Sequence, residues 1–236
     1  MVGRSRREEG NRLVSDLSKL AILGTGGHGL VVADAVLAMG GYELVGFVSG
    51  GDDSAVLGIA PVLGDDRDLL ELVTTRRVAS VAVAVGDNAV RKTVIERLRD
   101  SLPEWVCFPP IVHPVASIGI KASIGDGSVV LAGAVVGPGA SVGECCIVNT
   151  RASLDHHGVL GDYASLAPGV TVGGDVSIGE GGAVAIGATV LHGRSIGDWS
   201  VVGACATVID DVPDGVVAYG TPARVVRERE PGDRYL

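Results

Sequence analysis

The sequence predicts an α/β unit followed by a parallel β-helix, and two observations carry that prediction. Strand-like and helix-like segments alternate through the first half of the chain. From Ile118 to Thr207 an aliphatic residue then returns at every sixth position, through 15 unbroken hexapeptides. Alternation of strands and helices implies a parallel sheet with helical crossovers. A fixed short period implies coils that bury their inner faces only by stacking on one another.

In the first half, Leu20 to Leu23 reads as a strand that runs into Gly24-Thr25-Gly26-Gly27-His28-Gly29. A helix is expected over Leu30 to Met39, stopped by Gly40-Gly41. Glu43 to Val48 and Val78 to Val85 read as two further strands, and Asn88 to Arg99 as a charged amphipathic helix. Gly24, Gly26 and Gly29 fit G-x-G-x-x-G between a strand and a helix, which gives the unit a Rossmann-like character. Such a loop can receive a phosphate or let a nucleotide approach the backbone. The acidic residue that a dehydrogenase needs at the end of the second strand is absent: Val48 leads into Ser49-Gly50-Gly51, and Asp52 and Asp53 come late.

In the second half, position one of every hexapeptide is Ile, Val or Leu, position two is Gly in nine, and position five is Ala, Ser, Val or Cys in 12. The aliphatic residue points inward, and the small residue lets the chain turn a corner. Three strands make a triangular coil of 18 residues, so the run gives about five coils rising roughly 24 Å. His113-Pro114 starts the winding, and Asp210 to Gly215 reads as a loop beyond it. The spacing does not set the handedness.

Composition narrows the partners. The 236 residues carry a net charge of −9, which argues against nucleic acid. Hydrophobic residues make up 47% but aromatics only 3%, so the core must be thin aliphatic layers. No apolar run reaches membrane-spanning length, and Met1 to Lys19 lacks an apolar signal core. The cysteines (Cys107, Cys145, Cys146, Cys205) have no C-x-x-C spacing, which suits a reducing cytoplasm and neither disulfides nor a zinc knuckle.

Four segments occur in order: Ala21 to Gly29, Val112 to Gly119, Asn149 to His156, and Tyr219 to Arg224. With the hexapeptides they resemble the sugar O/N-acyltransferase family of left-handed β-helix enzymes. That family includes sialic acid O-acetyltransferases and nucleotide-aminosugar N-acetyltransferases. The resemblance spans roughly residues 19 to 227. It implies a homotrimer with acetyl-CoA in the groove between neighbouring β-helices, a nucleotide-sugar site in the N-terminal domain, and a histidine general base. Four regions are then expected: a polar arm (1–18), a Rossmann-like nucleotide-sugar domain (19–110), a left-handed β-helix acyltransferase domain (111–209) and a C-terminal tail (210–236).

The resemblance places the base at His156. Neutral imidazole, with a pKa near 6.5 in isolation, can take the proton of an attacking amine at neutral pH. Asp155 is adjacent, but neighbours on a strand point to opposite sides. His157 stands where some relatives carry an orienting Glu. Gly174 follows His156 by one coil, so its N–H is placed to donate to the thioester oxygen. Asn149 matches the residue that faces the acceptor in the family. Ser165, Ala167, Ala185, Ile186 and Ala204 match the path of the family's cofactor, and Arg224 is expected at a CoA phosphate. Gly24, Gly26, Gly27, His28, Gly29 and Ser49, with Asn149, are expected around the nucleotide sugar. No metal is expected: His192 lies two coils from His156, roughly 9–10 Å by strand stacking, too far to share an ion.

The implied function is N-acetylation of a nucleotide-linked amino sugar by direct attack. The alternatives are O-acetylation of sialic acid or another sugar hydroxyl, and, more remotely, a non-catalytic β-helix binding protein.

Overall fold

The computed structural model describes residues 17–51, 53, 56 and 58–233. The expected polar arm, apart from residues 17 and 18, and Asp52 lie outside the described residues.

The N-terminal unit is a three-stranded parallel sheet. β1 (Ser18–Leu23) is its centre, between β2 (Tyr42–Val48) and β3 (Ser80–Val83). Leu20 and Ile22 face one helical layer, and Ala21 and Leu23 the other, as strand alternation requires. α1 (Gly27–Met39) begins three residues before the expected Leu30, because the glycine loop is itself its first turn: Leu30 N–H already donates to Gly26 O at 3.1 Å. Gly40 ends the helix with φ 66°, as the Gly40-Gly41 pair implies. α2 (Leu69–Thr74) has no forecast in the sequence; it is short, and buries Leu69, Leu72 and Val73. α3 (Asn88–Ser101) begins where Asp87 accepts a hydrogen bond from Val90 N–H.

The β-helix is a run of two-residue strands, from β4 (Ile111–Val112) to β20 (Thr207–Val208). Ile147 pairs in parallel with Val129 on one side and Ser165 on the other, so one coil is 18 residues. The coils form sheets of eight, six and five strands, the three walls of the triangle. The inward aliphatics stack into one core, among them Val130, Val148, Leu154, Leu166, Val184 and Val202. Full burial of each contributes about 1.5–3 kcal/mol.

Each corner turns on position four of the hexapeptide rather than on position five. Every such residue from Lys121 to Cys205 has φ between 54° and 71°. Position five is the small residue buried just inside the corner, as at Ala134, Ala152 and Ala188.

The winding starts earlier and ends later than the hexapeptide run. Strand pairing begins at Ile111, ahead of His113-Pro114. The C-terminal segment is also not a loose tail. β21 (Val216–Gly220) extends the eight-stranded wall, and β22 (Ala223–Glu228) folds back antiparallel on it. The helix therefore has roughly six turns instead of five. The hexapeptide phase breaks at the Asp210–Gly215 loop, so the aliphatic pattern could not report that last wall.

α3 fixes the two halves together through a match of repeats. Lys92 pairs with Glu180, and Arg99 with Glu144. Seven helical residues rise about 10.5 Å, and two coils rise about 9.6 Å. The acidic positions 144 and 180 are two coils apart, so one straight helix meets both. Arg91 is 1% exposed between these pairs. Its guanidinium donates to the carbonyls of Val85, Gly86, Cys145 and Tyr163 and to Asn88 Oδ1.

Candidate functional site

The first half of the site is a corner of the β-helix at Asp155-His156-His157. Asp155 Oδ1 accepts the backbone N–H of His156 at 2.7 Å, so it fixes the turn and not the ring. His157 occupies the left-handed corner position with φ 55°. That conformation breaks strand alternation and brings neighbouring side chains to one side. His156 Nδ1 and His157 Nδ1 stand 3.2 Å apart, with the rings edge to face.

The next coil supplies Gly174 and Asp175 directly below. An added Cβ at Gly174 would lie 2.3 Å from His156 Cε1 and Nε2, so the imidazole lies over the glycine. The backbone N–H groups of Gly173 and Asp175 donate to Val190 and His156 carbonyls, whereas that of Gly174 has no partner among the described residues. Asp175 Oδ2 is 3.8 Å from His156 Nδ1 and 3.6 Å from His192 Nε2, and its Oδ1 is 3.9 Å from His157 Nδ1.

Two sequence-based expectations change here. Asp175, not Asp155, is the carboxylate beside the rings. It is 18 residues after His157, so the coil period could have found it. His192 is also nearer than strand stacking suggests: the ring centroids of His156 and His192 are 5.9 Å apart. Stacking spaces the backbones, but Gly174 leaves a gap into which both rings lean. The donor atoms of His156, His157 and Asp175 lie within 4.8 Å of one another.

The second half is a cavity of about 1020 Å³ between the N-terminal unit and the eight-stranded wall. Asn149, Ser165, Ala167, Ala185, Ile186 and Ala204 all line it, together with His28, Gly86 and Asp87 from the N-terminal unit. Arg224 does not line it: its guanidinium pairs with Asp210 at 3.1 Å. Arg227, which the sequence reading passed over, lines it instead. Arg224 and Arg227 pair with Tyr219 and Val217, two residues apart on β21 and so on one side of the hairpin, and the ion pair with Asp210 draws Arg224 away.

The glycine loop contributes through His28. Gly29 is needed for close packing, since a Cβ there would fall 2.3 Å from Gly24 O. Gly24, Gly26 and Gly27 hold the loop without lining the cavity. Ser49 accepts a hydrogen bond from Thr25 Oγ1 at 2.8 Å beside that loop. Burial, and then the charge of Arg91, push the His28 pKa down to about 4. Its imidazole is therefore neutral near pH 7, and its buried Nε2 has no partner among the described residues.

The cysteines offer no nucleophile in the core. Burial pushes the Cys145 thiol up to about 11 and the Cys146 thiol up to about 12.

The His156 corner is not part of the cavity wall. The two are at consecutive corners of the same triangle, separated by one wall of six residues, at most about 20 Å.

Residues 19–98 match the family described as PglD N-terminal domain. Along its length the chain is similar to PerB from Caulobacter crescentus, solved with CoA and GDP-perosamine. The identity is 34% over 89% of this chain and 98% of that one, with a TM-score of 0.82. The chain belongs to the sugar O/N-acyltransferase family. The left-handed β-helix follows from that membership. A second family member, the acetyltransferase domain of PglB from Neisseria gonorrhoeae in complex with acetyl coenzyme A, is 35% identical. It is covered completely, and 89% of this chain aligns with it, at a TM-score of 0.82. UDP-N-acetylbacillosamine N-acetyltransferase of Bacillus subtilis is 35% identical over 116 residues, 49% of this chain. The match spans 52%, about half, of that enzyme's length.

Proposed function

We propose that this sugar acyltransferase is an acetyl-CoA-dependent N-acetyltransferase of a nucleotide-linked amino sugar, with His156 as the general base. One observation carries the reading: the His156 ring lies over Gly174, whose N–H has no partner among the described residues. A proton acceptor and a backbone donor thus stand side by side, so that an acyl group at their shared edge can meet both.

The cavity residues suit CoA. Ser165, Ala167, Ala185 and Ala204 are small, so an extended ligand can reach backbone groups, and Arg227, which pairs with Asp233 at 3.5 Å, can exchange that exposed partner for a phosphate. Bound acetyl-CoA supplies a thioester carbonyl for an amine to attack. The chain's own groups then act in order. Asn149 and His28 hold the acceptor from the two sides of the cavity. His156 removes the amine proton as the C–N bond forms. Gly174 N–H donates to the oxygen that gains charge, and the proton on His156 is available to the departing thiolate. No cysteine has a part in this route.

The separation of His156 from the cavity within one chain supports a homotrimer, in which one protomer's corner faces its neighbour's cavity. Protonated, unpaired core thiols accord with a cytoplasmic enzyme.

Free-thiol release from acetyl-CoA, across UDP-, GDP- and dTDP-linked 3-amino and 4-amino sugars plus free sialic acid, tests the proposal. Release with an aminosugar nucleotide supports it. Release with sialic acid alone moves the reaction to a hydroxyl, and silence with CoA still bound points to a binding role.

A further inference from the structure

We infer that Asp175 and His157 are positioning residues that hold the His156 proton on Nδ1 and leave Nε2 free as the base. The inference rests on the proposed role of His156 and deepens it. At 3.2 Å the two Nδ1 atoms share one hydrogen, so one ring must donate and the other accept. Nε2 and Cε1 of His156 lie over Gly174, the proposed donor to the acyl oxygen, so Nε2 is the ring nitrogen nearer the reacting group. A working base therefore carries its resting proton on Nδ1, and His157 accepts it with its own Nδ1 bare.

Asp175 stabilises the other end of the reaction. Its oxygens are too far from the rings for hydrogen bonds at rest, at 3.6 to 3.9 Å. Those separations are within ion-pair range once His156 becomes imidazolium. The carboxylate sits between three imidazoles and has no cation other than these rings within ion-pair distance among the described residues. Its left-handed conformation, φ 55°, is one that Asp and Asn adopt with little strain. Asp175→Asn therefore removes the charge and keeps the turn.

The experiment uses the full-length enzyme with its aminosugar nucleotide. Asp175→Asn is expected to lower kcat about tenfold, leaving the KM for both substrates and the melting temperature unchanged, and Asp175→Glu to restore part of the loss. Nitrogen-15 NMR of the histidine rings is expected to show His156 protonated on Nδ1, and to show that preference lost in His157→Asn. Unchanged kcat in Asp175→Asn, or a His156 proton resident on Nε2, overturns the inference. If His156→Ala abolishes turnover while Asp175→Asn does not, only the positioning roles fail. If His156→Ala turns over normally, the base assignment falls and this inference with it.

Discussion

Gly174 lies directly beneath the His156 imidazole, close enough that a single methyl group at residue 174 would sit 2.3 Å from two ring atoms. The backbone at Gly174 is not left-handed, so alanine fits the chain itself. What has to give is the tip of a half-exposed side chain. Gly174→Ala should therefore leave the melting temperature nearly unchanged while turning the ring away. A displacement of about 1 Å lowers kcat by about 100-fold. Steady-state kinetics beside a melting curve separates these effects.

The buried guanidinium of Arg91 joins the two halves. Arg91→Ala removes charged hydrogen bonds to the carbonyls of Cys145 and Tyr163 and leaves a cavity beneath α3. Charge-assisted hydrogen bonds contribute about 1.5–3 kcal/mol each, so a destabilisation of about 3 kcal/mol or more is expected. For a chain of this size that lowers the melting temperature by roughly 6–12 °C. Calorimetry of the variant checks it.

Gly181 and Gly187 are both left-handed corner residues, with φ of 62° and 66°, but they carry different loads. A Cβ at Gly181 would meet the Trp199 ring at 2.4 Å, whereas one at Gly187 would meet only Cys205 Sγ at 3.4 Å. Both alanine variants incur about 1–2 kcal/mol of left-handed strain. Gly181→Ala should lose more, because Trp199 must leave its place over Lys92. Denaturant titration of the pair measures the difference.

His28 makes stability depend on pH. Its folded pKa, about 4, is below the unfolded value of 6.5, so between these limits the unfolded chain binds more protons. Stability from this group is complete above about pH 6.5 and declines as pH falls to about 4. The full span is about 3 kcal/mol. Urea unfolding across that window should show a shallower decline in His28→Gln than in the natural sequence.

The β-helix was legible because its period is set by geometry that every coil repeats. The inward aliphatics and the 18-residue coil follow from the pattern alone. The last wall was hidden because β21 joins the stack after the loop that interrupts the phase. α2 was hidden because six residues carry too little periodicity. At the site, the cavity wall was legible from the family motif, and Gly174 from the coil period. The same period reaches Asp175 from His157, but only once the left-handed corner is known does the side chain of residue 157 turn toward that of 156. Adjacency in sequence pointed instead to Asp155, whose carboxylate binds the His156 backbone N–H and not the ring. Arg227 was missed because the motif ends at Arg224, and no residue pattern says which arginine of β22 faces the cavity.

His156 is proposed as the base of an acyl transfer to an amine. The most direct measurement is thiol release by His156→Ala against the natural sequence, with an aminosugar nucleotide as acceptor and CoA affinity measured in parallel. A loss of about 100-fold or more in kcat with CoA affinity unchanged is the predicted result. Turnover within twofold of the natural sequence would contradict it.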